Sequence, residues 1–103
     1  MRRELIVEPE AEADLQLAYR WYESQRAGLG IEFLEQAERT FDAITLMPES
    51  YVFLTRNLRR ARMKRFPYFV MFVETLTHLV VIGVFHSRQN PQEWEKRAQR
   101  KSH

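Results

Sequence analysis

Tyr68-Phe69-Val70-Met71-Phe72-Val73-Glu74-Thr75-Leu76-Thr77-His78-Leu79-Val80-Val81-Ile82-Gly83-Val84-Phe85 is the stretch that decides the fold. Tyr68 to Val73 and Leu79 to Phe85 read as two apolar strands, with Glu74 to His78 as the turn between them. Both are apolar on both faces: Phe69, Met71 and Val73 point one way, Tyr68, Val70 and Phe72 the other. Strands of this kind are usually central and covered twice. The rest of the chain must therefore supply two covers.

Working back towards the N-terminus, Arg59 to Phe66 alternates basic with apolar residues, the period of a half-exposed strand. Arg60, Arg62 and Lys64 lie on one side, Ala61 and Met63 on the other. Tyr51 to Leu54 is a short strand or an ordered loop. Before it, Ile31, Leu34, Ala37, Phe41 and Ile44, with Phe33 beside them, form a helical stripe that stops ahead of Pro48. Gly28-Leu29-Gly30 is a tight turn. A first helix runs from about Pro9 to about Gln25, with Pro9 in its first turn, acids at Glu10, Glu12 and Asp14, and an apolar face of Ala11, Leu15, Ala18, Tyr19 and Tyr22. Leu5-Ile6-Val7 opens the chain as a strand.

Two helices joined by so short a turn pack as an antiparallel hairpin. The pattern predicts an α+β fold: an N-terminal strand and a helical hairpin on one face of a small, mainly antiparallel sheet. For the second face only the residues from Arg88 onward remain, with Trp94 their one large apolar anchor. Either Trp94 folds back over the sheet or a partner covers it. Arg97 to His103 reads as a frayed basic tail.

The chain has 103 residues, the size of a single domain, and no cysteine. That excludes a disulfide scaffold and a thiolate zinc site, and fits a reducing, cytoplasmic setting. The N-terminus lacks the apolar core of a signal peptide, and no apolar run approaches the about 20 residues needed to cross a membrane. The formal net charge of +2 conceals a split, −6 over residues 1–50 and +8 over residues 51–103. Such asymmetry either marks a polyanionic partner or disappears when the charges mix on the folded surface.

The basic density peaks in Arg56-Asn57-Leu58-Arg59-Arg60-Ala61-Arg62-Met63-Lys64-Arg65, six bases in ten residues with no acid. On a strand, Arg60, Arg62 and Lys64 recur about 7 Å apart, a spacing suited to successive phosphates. The same charge could instead guard an edge strand against aggregation. A second cluster, His86-Ser87-Arg88-Gln89-Asn90-Pro91, closes the last strand. His86 is able to exchange protons near neutrality and Arg88 to clamp a phosphate; equally, His86 could be a structural hydrogen-bonding residue. Metal-independent RNA cleavage would need Lys64 as base, His86 as acid, and Arg62 and Arg88 around the phosphate. No glycine-rich phosphate loop, nucleophile elbow or metal motif is present, so neither a metal nor another cofactor is expected.

In order along the chain, Val7 to Leu15, Trp21-Tyr22-Glu23, Gly28-Leu29-Gly30 through Phe33, Arg65-Phe66-Pro67-Tyr68 and His86 to Pro91 resemble the RelE/ParE superfamily of type II toxin–antitoxin toxins. The resemblance extends from Leu5 to Arg97 and is greater to the ParE-type branch of plasmid-stabilisation toxins. It implies the α+β fold above, a cytoplasmic toxin and a cognate antitoxin that wraps it as a hetero-oligomer, for which Phe69, Met71 and Trp94 are candidate contacts. RelE-type members cut mRNA on the ribosome; ParE-type members block DNA gyrase. Arg59, Arg60, Arg62, Lys64, Arg65 and Arg88 suit either target. No tyrosine follows Tyr68, so the C-terminal tyrosine of the RelE type is missing and only His86 could replace it. The resemblance therefore favours gyrase inhibition over mRNA cleavage, with an inactive antitoxin-binding relative as a third possibility.

Overall fold

The structure is a computed structural model and describes residues 3–101. Along the chain come β1 (Glu4–Val7), α1 (Pro9–Gln25), α2 (Leu29–Leu46), a single 3-10 turn (Pro48–Ser50), β2 (Leu58–Arg62), β3 (Tyr68–Glu74), β4 (His78–His86) and α3 (Pro91–Lys101). The sheet order is β1-β4-β3-β2. β1 runs parallel to β4, and the other pairings are antiparallel. The architecture is the α+β arrangement that the sequence pattern predicts.

The hairpin covers one face. Ala11, Leu15 and Ala18 of α1 and Phe33, Ala37, Phe41 and Ile44 of α2 meet Ala61, Val70, Phe72, Leu79, Val81 and Val84 of the sheet. The buried line of α2 is rotated from the stripe that sequence spacing suggests. Ile31 is 51% exposed while Phe33 is fully buried. Ile31 lies six residues, about 600° of helix, before Ala37, which leaves the two about 120° apart. Thr40 takes a buried place because its hydroxyl donates to the Gln36 carbonyl at 2.8 Å. At the turn, Gly28 has φ 90, a left-handed conformation that favours glycine. The Glu23 carboxylate accepts the N–H groups of Gly28 (2.9 Å) and Gly30 (3.0 Å), groups that would otherwise be orphaned at the start of α2.

The other face is closed by α3. Trp94 and Ala98 pack with Leu58, Met71, Val73, Ile82 and Phe85, so the chain supplies its own second cover. Reading Arg97 onward as a frayed tail fails for Arg97 to Lys101, which are helical. Arg97 is tied to Asp14 and Ala98 is buried. Ser102 and His103 lie outside the described residues.

β2 is shorter than its alternating pattern. It ends at Arg62, and Arg65, the one non-glycine residue of positive φ (72) among those described, turns the chain towards β3. Tyr51 to Leu54 forms an ordered loop, joined to the sheet by an isolated bridge between Phe53 and Arg59.

A bulge interrupts β4. Met71 pairs with Gly83 but Phe72 with Val81, leaving Ile82 as the extra residue. Beyond Val81 no strand among the described residues pairs with the outer edge of β4, since β1 partners only His78 to Val81. Side chains take over there. Asp14 Oδ2 accepts the Val84 N–H at 2.9 Å. Arg97 Nη1 donates to the Ile82 carbonyl at 3.1 Å and to Asp14 Oδ2 at 2.7 Å, and Nη2 to Oδ1 at 3.1 Å. One bidentate pair thus satisfies an open strand edge and ties α1, on one face, to α3, on the other.

Candidate functional site

The structure divides the basic run by what each side chain touches. Arg59 is a framework residue, its side chain 13% exposed. Its Nε donates to Glu74 Oε1 at 2.7 Å, its Nη1 to the carbonyls of Tyr51 and Glu49, and its guanidinium lies over Phe53. Arg65 is also committed, donating to Glu32 Oε1 at 2.6 Å, while Arg26 holds the other oxygen at 3.2 Å. The hydrogen bond from Arg65 is the main reason that the Glu32 carboxyl lies below its ordinary range.

Arg60 and Arg62 are different. β2 directs both to the α3 side of the sheet, where their guanidiniums lie 4.4 and 5.6 Å from the centre of the Phe69 ring. Among the described residues no carboxylate pairs with Arg60, Arg62, Lys64 or Arg88. Arg62 and Lys64 border a depression of about 590 Å³ at the end of β2, with Met63, Arg65, Phe66 and Pro67.

His86 lies elsewhere. It ends β4 opposite Tyr68 on the hairpin face, its ring edge-on to that of Tyr68 with centroids 5.1 Å apart. It borders an apolar cleft of about 640 Å³ between α1 and the open edge of β4, together with Leu17, Trp21, Tyr22, Pro67, Tyr68 and Gln89. His86 Nδ1 accepts the Arg88 N–H at 3.0 Å. In that arrangement Nδ1 carries no proton, and a neutral ring has its proton on Nε2. The His86 N–H is held by Gln89 Oε1 at 2.8 Å. Burial, with the nearby Tyr22 phenol, pushes the Tyr68 phenol up to about 12, and burial also raises Tyr22. Neither phenol is disposed to give up a proton near neutrality.

Two of the four residues that RNA cleavage would require therefore lie on opposite faces of the sheet. Arg62 projects from one face of the sheet and His86 from the other, and among the described residues Pro67 alone borders both depressions. Arg88 is exposed and meets His86 through its backbone. Of the candidate antitoxin contacts, Met71 is 2% exposed beneath α3, whereas Phe69 and Trp94 keep part of their surface.

Two features escape a reading of the sequence. Trp21 is 57% exposed and Leu17 is exposed one helical turn before it, so α1 has a second, outward apolar stripe beside its buried one. The Asp14–Arg97 pair spans 83 residues. One signal for it exists: Asp14 lies next to Leu15 and between Ala11 and Ala18, a carboxylate on the buried side of a helix. Among the described residues no group of three potential metal ligands comes together, and no helix is long and apolar enough to cross a membrane.

Comparison with known proteins places this geometry. Residues 5–91 match the family profile described as the ParE toxin of type II toxin–antitoxin system, parDE. Among solved structures, a chain of the chromosomal ParDE TA system from P. aeruginosa superposes with a TM-score of 0.75 at 12% sequence identity. The match covers 82% of this chain and 96% of that one. No curated protein matches.

Proposed function

The chain belongs to the ParE toxin family of type II toxin–antitoxin systems, and from that premise we propose that it arrests growth by binding and inhibiting DNA gyrase, not by cutting RNA. The observation that carries this reading is the separation of His86 from Arg60 and Arg62, which lie on opposite faces of the sheet. Cleavage at a phosphate needs a base, an acid and charge stabilisation within hydrogen-bond reach of one substrate. Here Arg60 and Arg62 lie over Phe69 on one face, and His86 faces Tyr68 on the other. A binding inhibitor has no such requirement.

In this reading the toxin acts in the cytoplasm as a single domain and needs no cofactor. A cognate antitoxin neutralises it by covering apolar surface. The cleft beside Leu17 and Trp21 offers such surface, as do the exposed parts of Phe69 and Trp94; Met71 becomes available only if α3 lifts.

The test is induction without antitoxin, with plasmid supercoiling, the DNA-damage response and transcript integrity followed together. Gyrase inhibition disturbs supercoiling and raises the damage response while transcripts stay intact. Codon-phased mRNA cuts with normal supercoiling would overturn the proposal. His86→Ala is expected to leave toxicity largely unchanged; loss of toxicity in a variant that still folds would argue for catalysis.

A further inference from the structure

We propose that the strand face formed by Arg60 and Arg62, with Lys64 at its end, is a docking surface for the phosphate backbone of duplex DNA. The surface belongs to the toxin alone and goes beyond the gyrase reading, because it stands or falls whichever target the toxin has.

The first observation is how the arginines are held. Arg3, Arg26, Arg59, Arg65, Arg97 and Arg100 each reach a carboxylate. Among the described residues Arg60 and Arg62, in the middle of the most basic stretch, reach no carboxylate, and nor do Arg20, Arg39, Arg56 and Arg88. Arg60 and Arg62 are set apart by lying together against the Phe69 ring. A guanidinium lying on an aromatic face keeps its charge and its donors while losing rotamer freedom before any ligand arrives. Less entropy is then lost on binding.

The second observation is spacing. Arg60 and Arg62 are alternate residues of one strand, so their side chains leave the same face about 7 Å apart. That suits successive phosphates of one strand, with Lys64 beyond them as a third cation on the depression it shares with Arg62. The acids of the molecule lie mostly elsewhere. The first 50 residues, which include the helical hairpin, carry a net −6, and the hairpin covers the opposite face of the sheet. A polyanion is therefore steered to this face and repelled from the other.

The third observation chooses the form of nucleic acid. A surface for unpaired bases presents free aromatic faces for stacking. At Phe69 the Arg60 and Arg62 guanidiniums already lie 4.4 and 5.6 Å from the ring centre, so a base would have to displace them to stack there. The face can hold backbone phosphates, while its cations already occupy the Phe69 ring, and this favours a duplex.

The experiment uses the full-length chain and a fluorescein-labelled duplex of random sequence, read by fluorescence anisotropy from 50 to 200 mM salt. About three phosphate contacts give a log–log slope near −2.7, a loss of about 40-fold over that range. The R60Q/R62Q variant should bind at least tenfold more weakly at 50 mM salt and lose about two units of slope. R20Q/R39Q, an equal charge change on the exposed hairpin surface, should alter affinity less than threefold. Phe69→Leu keeps every charge and removes the platform, so affinity should fall severalfold with the slope unchanged. If R60Q/R62Q melts, Arg62→Gln alone replaces it, with a loss of about one slope unit. The proposal is overturned by no duplex binding at 50 mM salt, by an equal loss in R20Q/R39Q, or by a single strand of the same length binding more tightly than the duplex. It is overturned equally if R60Q/R62Q leaves duplex binding intact and weakens only binding of an acidic antitoxin peptide.

Discussion

Asp14→Asn removes one charge and almost no volume, and it falls on the contact that holds both covers to the sheet. The wild-type carboxylate receives three donors: Val84 N–H at 2.9 Å and two Arg97 nitrogens at 2.7 and 3.1 Å. An amide can still accept from Val84 with one oxygen, but its NH2 group then faces the guanidinium. Breaking a fully buried ion pair by removing one partner costs about 3–5 kcal/mol. Two facts reduce that figure here. The side chains of Arg97 and Asp14 remain 14% and 18% exposed, and Glu10 stays 3.5 Å from Arg97 Nε as a residual partner. A loss of about 2–3 kcal/mol follows, which for a domain of this size lowers Tm by roughly 10–20 °C. With a typical total of about 5–15 kcal/mol the variant still folds. Urea unfolding followed by Trp94 fluorescence in a Trp21→Phe background measures the loss. Hydrogen exchange locates it, with amides of α3 and of Ile82 to Val84 opening before those of the hairpin. Arg97→Met removes the other partner, and the double variant should lose at least 1 kcal/mol less than the sum of the single losses. A change under about 0.5 kcal/mol, or exchange rising evenly over the whole chain, would refute the view that this pair latches α3.

Gly83→Ala should destabilise by about 1–3 kcal/mol, read as a urea midpoint, because the new methyl would come within 2.8 Å of Phe85 Cζ and 2.9 Å of Arg97 Nη1. Gly30→Ala should cost a similar amount in the same assay. Its methyl meets the Tyr19 ring at 2.7 Å and the Tyr19 carbonyl at 2.8 Å, so α1 and α2 must part where they approach closely. Tyr68, raised from 10.0 to about 12, favours the neutral phenol in the folded chain. Its contribution is fully present below pH 10 and is lost as pH rises towards 12; alkaline unfolding followed by circular dichroism should lose that component in Tyr68→Phe.

Local grammar is legible in this sequence to the extent that one face of one element decides it. Pro9 and the acids after it fix the start of α1, and the observed helix, Pro9–Gln25, has the predicted bounds. The two apolar strands and the turn between them are recovered for the same reason, because alternation and apolar runs are properties of neighbours in sequence. The α2 stripe is less legible. Ile31 and Phe33 are equally apolar, and only packing against Tyr22, Phe66 and Tyr68 selects Phe33 for the interior. The end of β2 is obscured likewise, since alternation continues to Lys64 while the left-handed turn at Arg65 is fixed through Glu32 of another element.

The candidate site shows why charge in a sequence is not yet chemistry. Arg59, Arg60, Arg62 and Arg65 are the same residue type within seven positions, and a strand pattern gives Arg60 and Arg62 one side and Arg59 the other. It does not say that Glu74, across the β2–β3 pairing, consumes Arg59, or that Glu32 consumes Arg65. Part of the opposition between the acidic first half and the basic second half is used inside the fold, where Asp14 meets Arg97, Glu32 meets Arg65 and Glu10 meets Arg100. These pairs fasten the hairpin to elements that follow it by dozens of residues. Among the charges they leave over, two guanidiniums are held over one ring, on the face away from the acidic hairpin. The asymmetry along the chain thus serves two ends at once, and only the three-dimensional pairing separates the arginines that build the molecule from those left free to meet another.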